Sequence, residues 1–125
     1  LYRVDIPNPL RDSEITARFI GEVGRLPQPT AAQKLVRGYL GEHRAWPTAM
    51  DFSADGSAAV VLTYGHVLLF PRKDGETWGS AFAREPVLLA PHNLTQAEAT
   101  CFSADGRAVY VASEKTRNLL RYDLR

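Results

Sequence analysis

The stretch Ala49-Met50-Asp51-Phe52-Ser53-Ala54-Asp55-Gly56 returns 50 residues later as Ala99-Thr100-Cys101-Phe102-Ser103-Ala104-Asp105-Gly106. Six of the eight positions are identical. The next segment also matches in kind: Ala58-Ala59-Val60-Val61-Leu62-Thr63 stands beside Ala108-Val109-Tyr110-Val111-Ala112-Ser113. Each copy then has a third run, Val67-Leu68-Leu69-Phe70 and Leu119-Leu120-Arg121-Tyr122. Leu1-Tyr2-Arg3-Val4-Asp5-Ile6 reads as an earlier copy of that third run. Self-similarity at a fixed period is the signature of a repeat architecture.

The runs are short, β-branched or aromatic, and bounded by turn residues, so they read as strands. Each Asp-Gly pair supplies the positive-φ position that a tight hairpin needs between right-twisted strands. This predicts one hairpin from 49–54 and 58–63 and another from 99–104 and 108–113. Gly65 makes the next turn, into a strand at 67–71, and Val87-Leu88-Leu89-Ala90 supplies a fourth strand closed by Pro91. Asp74-Gly75 opens the connection to it, where Trp78 and Phe82 are expected to pin a loop onto the sheet. Strands are expected at 1–6, 15–23, 48–54, 58–64, 67–71, 87–90, 98–104, 108–113 and 119–124. A four-stranded antiparallel unit recurring at this period is the pattern of a β-propeller blade.

The expected fold class is therefore all-β, a propeller fragment of about two to two-and-a-half four-stranded antiparallel blades. Residues 1–45 hold the end of one blade plus an insertion, 46–95 a full blade and 96–125 an incomplete one. Within the insertion, 30–42 reads two ways. Thr30-Ala31-Ala32-Gln33 is a capping-box pattern, and Ala32, Leu35, Val36, Tyr39 and Leu40 have helical spacing. Gly38 and Gly41 weaken a helix, and Leu35 to Leu40 can extend as a strand. A short helix near 31–41 and a strand both stand.

The chain has 125 residues, one domain's worth, and 45% hydrophobic with 23% charged residues is an ordinary globular balance. Fifteen Lys and Arg against 14 Asp and Glu leave a net charge of +1, with no basic excess to draw nucleic acid or a membrane surface. One Cys excludes an internal disulfide and a multi-Cys zinc site. No apolar run approaches the ~20 residues of a membrane helix. The chain begins at Leu1 without a signal-like region, which reads as a piece of something longer. Propellers close with about 4–8 blades. The expected partners are therefore the remaining blades or other copies of the chain, besides an unknown small ligand or protein.

The Phe-Ser-Ala-Asp-Gly runs, each leading into a Val-rich strand, resemble the repeats of bacterial YVTN-type propellers, with Ala54 and Ala104 where those often carry Pro. The pattern is not of the WD-repeat type: there is no Trp-Asp pair, and Gly65-His66 lies on the wrong side of its hairpin. Residues 96–114 resemble a blade of the phytase-like propellers. That resemblance implies that Glu98 and Glu114 fall where such blades carry calcium-binding glutamates at the channel mouth. Ala99 replaces the family's usual Gly, Lys115 replaces a second acid, and Thr48 and Tyr64 hold the matching places in the preceding repeat. Thr63-Tyr64 is also similar to a pair in secreted bacterial propellers of unknown activity. By this analogy the protein is expected to be exported, to the periplasm or beyond.

The residues make their own case for Glu98 and Glu114. Counting outward from Asp105-Gly106 puts both at the same end of adjacent strands. Two carboxylates there suit a hard cation such as calcium, with further oxygens to come from other blades. The plainer reading is two solvated acids, one paired with Lys115 or Arg117. Tyr64 is a candidate for stacking on a ligand, against a plain packing role. His43, His66 and His92 share no motif and read as structural or surface residues. Cys101 reads as a small buried apolar residue in mid-strand. Asp51, at the matching position of the other copy, calls for a partner, with packing or register as its reason. No catalytic residue is legible.

Three functions are compatible with these residues. The favoured one is a ligand- or protein-binding module with no chemistry of its own. The second is a calcium-dependent, phytase-like or esterase-like phosphohydrolase, its cation polarising a phosphoryl oxygen. The third is a partial propeller that assembles with copies of itself.

Overall fold

The computed structural model describes residues 1–9 and 14–124. Positions 10–13 and 125 of the expected units lie outside the described residues. The protein is mostly β, with three antiparallel sheets and a few short helices. β1 (Tyr2–Arg3) and β2 (Arg18–Phe19) form the first sheet. β3 (Pro47–Phe52), β4 (Ala58–Thr63), β5 (Val67–Pro71) and β6 (Val87–Leu88) form the second, in sequence order. β7 (Ala97–Phe102), β8 (Ala108–Ser113) and β9 (Leu119–Asp123) form the third. No sheet closes into a barrel among the described residues.

The two repeat loops are built alike by their own side chains. Ser53 Oγ–H donates to Asp55 Oδ1 at 2.7 Å, and the Ser57 N–H donates to the same oxygen at 2.9 Å. The Ala58 N–H donates to Ser53 Oγ at 2.9 Å, closing the base of the loop. Ser103, Asp105, Arg107 and Ala108 repeat these bonds at 2.6, 3.0 and 2.9 Å. Gly56 and Gly106 take φ of +68° and +69°, the left-handed region that glycine enters without a Cβ penalty. The Ser hydroxyls hold the carboxyl of Asp55 down at about 2, with the Ser57 N–H helping, and Ser103 lowers that of Asp105 as well. Gly65 is small for another reason: a Cβ there would run into the side chain of Arg44.

The second sheet is covered on both faces, which explains the unbroken apolar run of β4. Val60, Leu62 and Val67 point one way and join Ala97, Val109 and Val111 of the third sheet, with Leu94, in one buried cluster. Ala59, Val61, Leu68 and Phe70 point the other way and pack with Phe82, Leu1, Val23, Leu26 and Trp78. A strand buried on both faces loses the polar alternation of a half-buried one. Each large side chain so buried contributes roughly 1.5–3 kcal/mol.

Several expectations are corrected in detail. The strands expected at 1–6 and 15–23 shrink to two residues each, since among the described residues only Tyr2–Phe19 and Arg3–Arg18 pair as a ladder. A lone two-stranded ribbon is weakly held, and Pro7 lacks an N–H to extend it. Between 30 and 42 the helix wins for one turn, α1 (Ala31–Lys34), with the full Thr30/Gln33 capping box. A 3-10 turn comes next, at Glu42–Ala45. The loop expected around Trp78 and Phe82 is a helix, α2 (Trp78–Ala83), capped by Thr77 Oγ1 accepting from the Ser80 N–H at 3.2 Å. The four-residue spacing of Trp78 and Phe82 puts both on one face, against the sheet.

Candidate functional site

The register places the candidate acids at a defect repeated in both hairpins. Pro47 pairs with Thr63 and Ala49 with Leu62, leaving Thr48 as the extra residue of a bulge. Ala97 pairs with Ser113 and Ala99 with Ala112, leaving Glu98 as the extra residue of the second. A bulge re-aims the side chain it carries. Thr48 Oγ1–H donates to Ala97 O at 2.7 Å, so the first bulge ties the second sheet to the start of β7.

Tyr64 and Glu114 each come just after the second strand of their hairpin. The Tyr64 hydroxyl donates to Glu98 Oε1 at 3.0 Å. Burial, helped by the Glu98 carboxylate, pushes the Tyr64 phenol above its ordinary value of 10.0. Glu98 and Glu114 line one open cavity of about 250 Å³ together with Ala99, Ala112 and Ser113. The same-end placement read from the hairpin count is what the structure has. Neither Lys115 nor Arg117 ion-pairs with either glutamate among the described residues. No group of three or more metal-ligating side chains occurs among them either, so two carboxylates are what this chain offers a cation here.

The insertion delivers an aromatic row that the sequence did not reveal. Tyr39 stacks on Tyr64 with ring centres 4.5 Å apart. His43 lies 6.3 Å from Tyr39 and packs its ring against Trp46 at 4.1 Å, edge to face. Trp46 is 57% exposed and Tyr39 39%, so the row stays open to solvent. The sole sequence signal for it is the aromatic content of 39–46; its meeting with Tyr64 is a long-range contact.

The other singled-out residues resolve one by one. Asp51 Oδ2 accepts from the Phe102 N–H at 2.8 Å, a bond from the second sheet to the third, in keeping with the packing reading. Cys101 is exposed, not buried as expected. It shares the open face of the third sheet with Ala99, Tyr110 and Leu119, while Val109 and Val111 take the packed face. His92 is buried: Leu94 N–H donates to Nδ1 at 3.3 Å, which leaves Nε2–H to donate to Thr63 O at 3.2 Å. Burial lowers the imidazoles of both His92 and His66, and the Arg44 charge adds to the shift at His66. Buried Arg44 Nε and His66 Nδ1 find no hydrogen-bond partner among the described residues.

The chain matches no family model, no curated protein and no solved structure.

Proposed function

We propose that this chain is part of a β-propeller that serves as a binding module, taking its ligand at the rim formed by Tyr64, Glu98 and Glu114. The observation that carries the reading is the Tyr64–Glu98 bond, which joins two successive repeats at one end and leaves Glu114 beside it at an open cavity. The stacking supports the blade assignment. Ala59 and Val61 face Phe82 of α2 and the preceding segment through Leu1, Val23 and Leu26, and their repeat counterparts Val109 and Val111 face the second sheet. The same strand face thus turns toward the preceding part of the chain in both repeats, in keeping with radial repetition.

The rim suits a ligand bearing a cation or several hydroxyls. The carboxylates accept hydrogen bonds or bind positive charge, and the Tyr39–Tyr64 pair offers ring faces. Calcium chloride, choline chloride and glucose sample a hard cation, an organic cation and a polyol. At least one should give saturable NMR shifts at Tyr39, Tyr64 and Glu98 that the Glu98→Gln/Glu114→Gln double variant loses. No saturable shift from any of the three overturns the assignment of this rim.

A second reading is favoured by the two glutamates sharing one cavity: a calcium-dependent phosphohydrolase, the cation held by Glu98 and Glu114 with further oxygens from other blades. Phosphate-ester hydrolysis with and without calcium tests it. A rate that ignores calcium in an assembly with complete blades rejects it.

A further inference from the structure

Three arginines converge on a second open cavity, of about 550 Å³, between the first sheet and α2. Arg3, Arg18 and Arg72 line it, together with Ile20, Glu76 and Trp78. Arg3 and Arg18 are direct cross-strand partners, a like-charge pairing that costs stability. Asp5 offsets one of these charges, with Oδ1 2.6 Å from Arg3 Nε and Oδ2 3.6 Å from Arg18 Nη2.

Arg72 is oriented but not neutralised. Its Nε–H donates to Gly56 O at 2.7 Å and its Nη1–H to Glu76 O at 3.2 Å. Its guanidinium lies 4.8 Å from the centre of the Trp78 ring. Among the described residues no carboxylate pairs with it. Glu76, the acid in the wall, is engaged elsewhere: its carboxylate accepts from Arg84 at 2.9 and 3.1 Å and from the Lys73 N–H at 2.9 Å. Among the described residues, three guanidiniums therefore share one compensating acid, Asp5.

A held guanidinium with unused N–H groups recognises planar oxyanions well. The uncompensated charge of the wall is that of two cations, and Ile20 and Trp78 add apolar surface beside it. We propose that this cavity binds a small organic dianion, its charged group between Arg72 and the Arg3–Arg18 pair and its carbon skeleton against Ile20 and Trp78. A phosphate monoester and a dicarboxylate share this chemistry. The site has no residue in common with the Tyr64–Glu98–Glu114 rim and stands or falls apart from it.

The test titrates phenyl phosphate, phthalate and the monoanion benzoate into the isotope-labelled chain, with sodium chloride at matched ionic strength as the blank. Saturable shifts of the Trp78 indole N–H and the Ile20 and Gly79 amides are expected with a dianion, and the tighter of the two probes tells phosphate from dicarboxylate. Benzoate should bind at least about fivefold more weakly, because one charge fewer meets the arginines. Arg18→Gln should weaken the dianion by about fivefold or more. Among the described residues its exposed side chain has one partner, Asp5 at 3.6 Å, so the change is expected to leave the fold intact. Arg72→Gln should lose more, and if that variant does not fold, Arg18→Gln decides. No saturable shift with either dianion, benzoate binding as tightly, or unchanged affinity in Arg18→Gln overturns the proposal.

Discussion

The Tyr64 hydroxyl donates to Glu98 Oε1 at 3.0 Å, across 34 residues and from one sheet to the next. The bond explains part of the raised phenol ionisation, after burial. A phenol raised in the folded state contributes stability below the unfolded value of 10.0, and that contribution is lost as pH rises through and above 10. Glu98→Gln should move the Tyr64 transition in an ultraviolet pH titration down toward the ordinary phenol range. A transition unmoved by Glu98→Gln would show that burial alone sets it.

Asp51 and Cys101 hold the same place in the two repeats, yet their substitutions should differ. Asp51→Ala strips the Phe102 N–H of its acceptor between two sheets, at a cost of about 1–3 kcal/mol in urea unfolding. Cys101→Ala, at an exposed position, should stay within about 0.5 kcal/mol. In the native protein Cys101 should also react with a thiol reagent without unfolding, whereas a protected thiol would contradict its exposure.

Both repeat-loop glycines should resist substitution, unequally. Gly106→Ala forces a side chain into positive φ with open space around it, at a cost of about 1 kcal/mol. Gly56→Ala carries the same strain and brings its Cβ to 3.0 Å from Arg72 Nη2, so it should cost more. Thermal unfolding of the two variants checks the order.

Phe82 anchors α2 to the second sheet, fully buried, with its ring centre 4.8 Å from that of Phe70. Phe82→Ala should cost about 3–5 kcal/mol, a large share of the stability of a domain this size. Loss of α2 packing alone would appear as exchange of the 77–84 amides before global unfolding.

His66 and His92 should make the fold acid-sensitive. Burial lowers both below 6.5, so the unfolded chain binds protons that the folded one refuses. Stability is therefore complete above about pH 6.5 and falls as pH drops below it. His92→Gln should flatten this part of the stability–pH curve, and a curve unchanged by that variant would remove His92 as a cause.

The period, the two Ser-Ala-Asp-Gly loops and the principal strands are legible in the amino-acid order alone. The loops rest on bonds between residues two to five apart, such as Ser53 with Asp55 and Ala58, and each hairpin pairs strands on either side of its own loop, so local sequence contains both partners. The capping box of α1 is legible for the same reason, its two residues lying three apart. Glu98 and Glu114 can be put at one end from sequence, because a hairpin counts outward from its own turn. The groups that meet them come from the packing of distant segments. Tyr64 reaches Glu98 over 34 residues and Asp51 reaches Phe102 over 51. Cys101 lies exposed because its face of the third sheet has no layer packed on it among the described residues, a fact of the stacking that strand periodicity cannot carry. The Tyr39–His43–Trp46 row and the arginine cavity depend likewise on where the insertion and the first sheet settle against the second. Such contacts join segments whose separate patterns say only that each has a surface to cover.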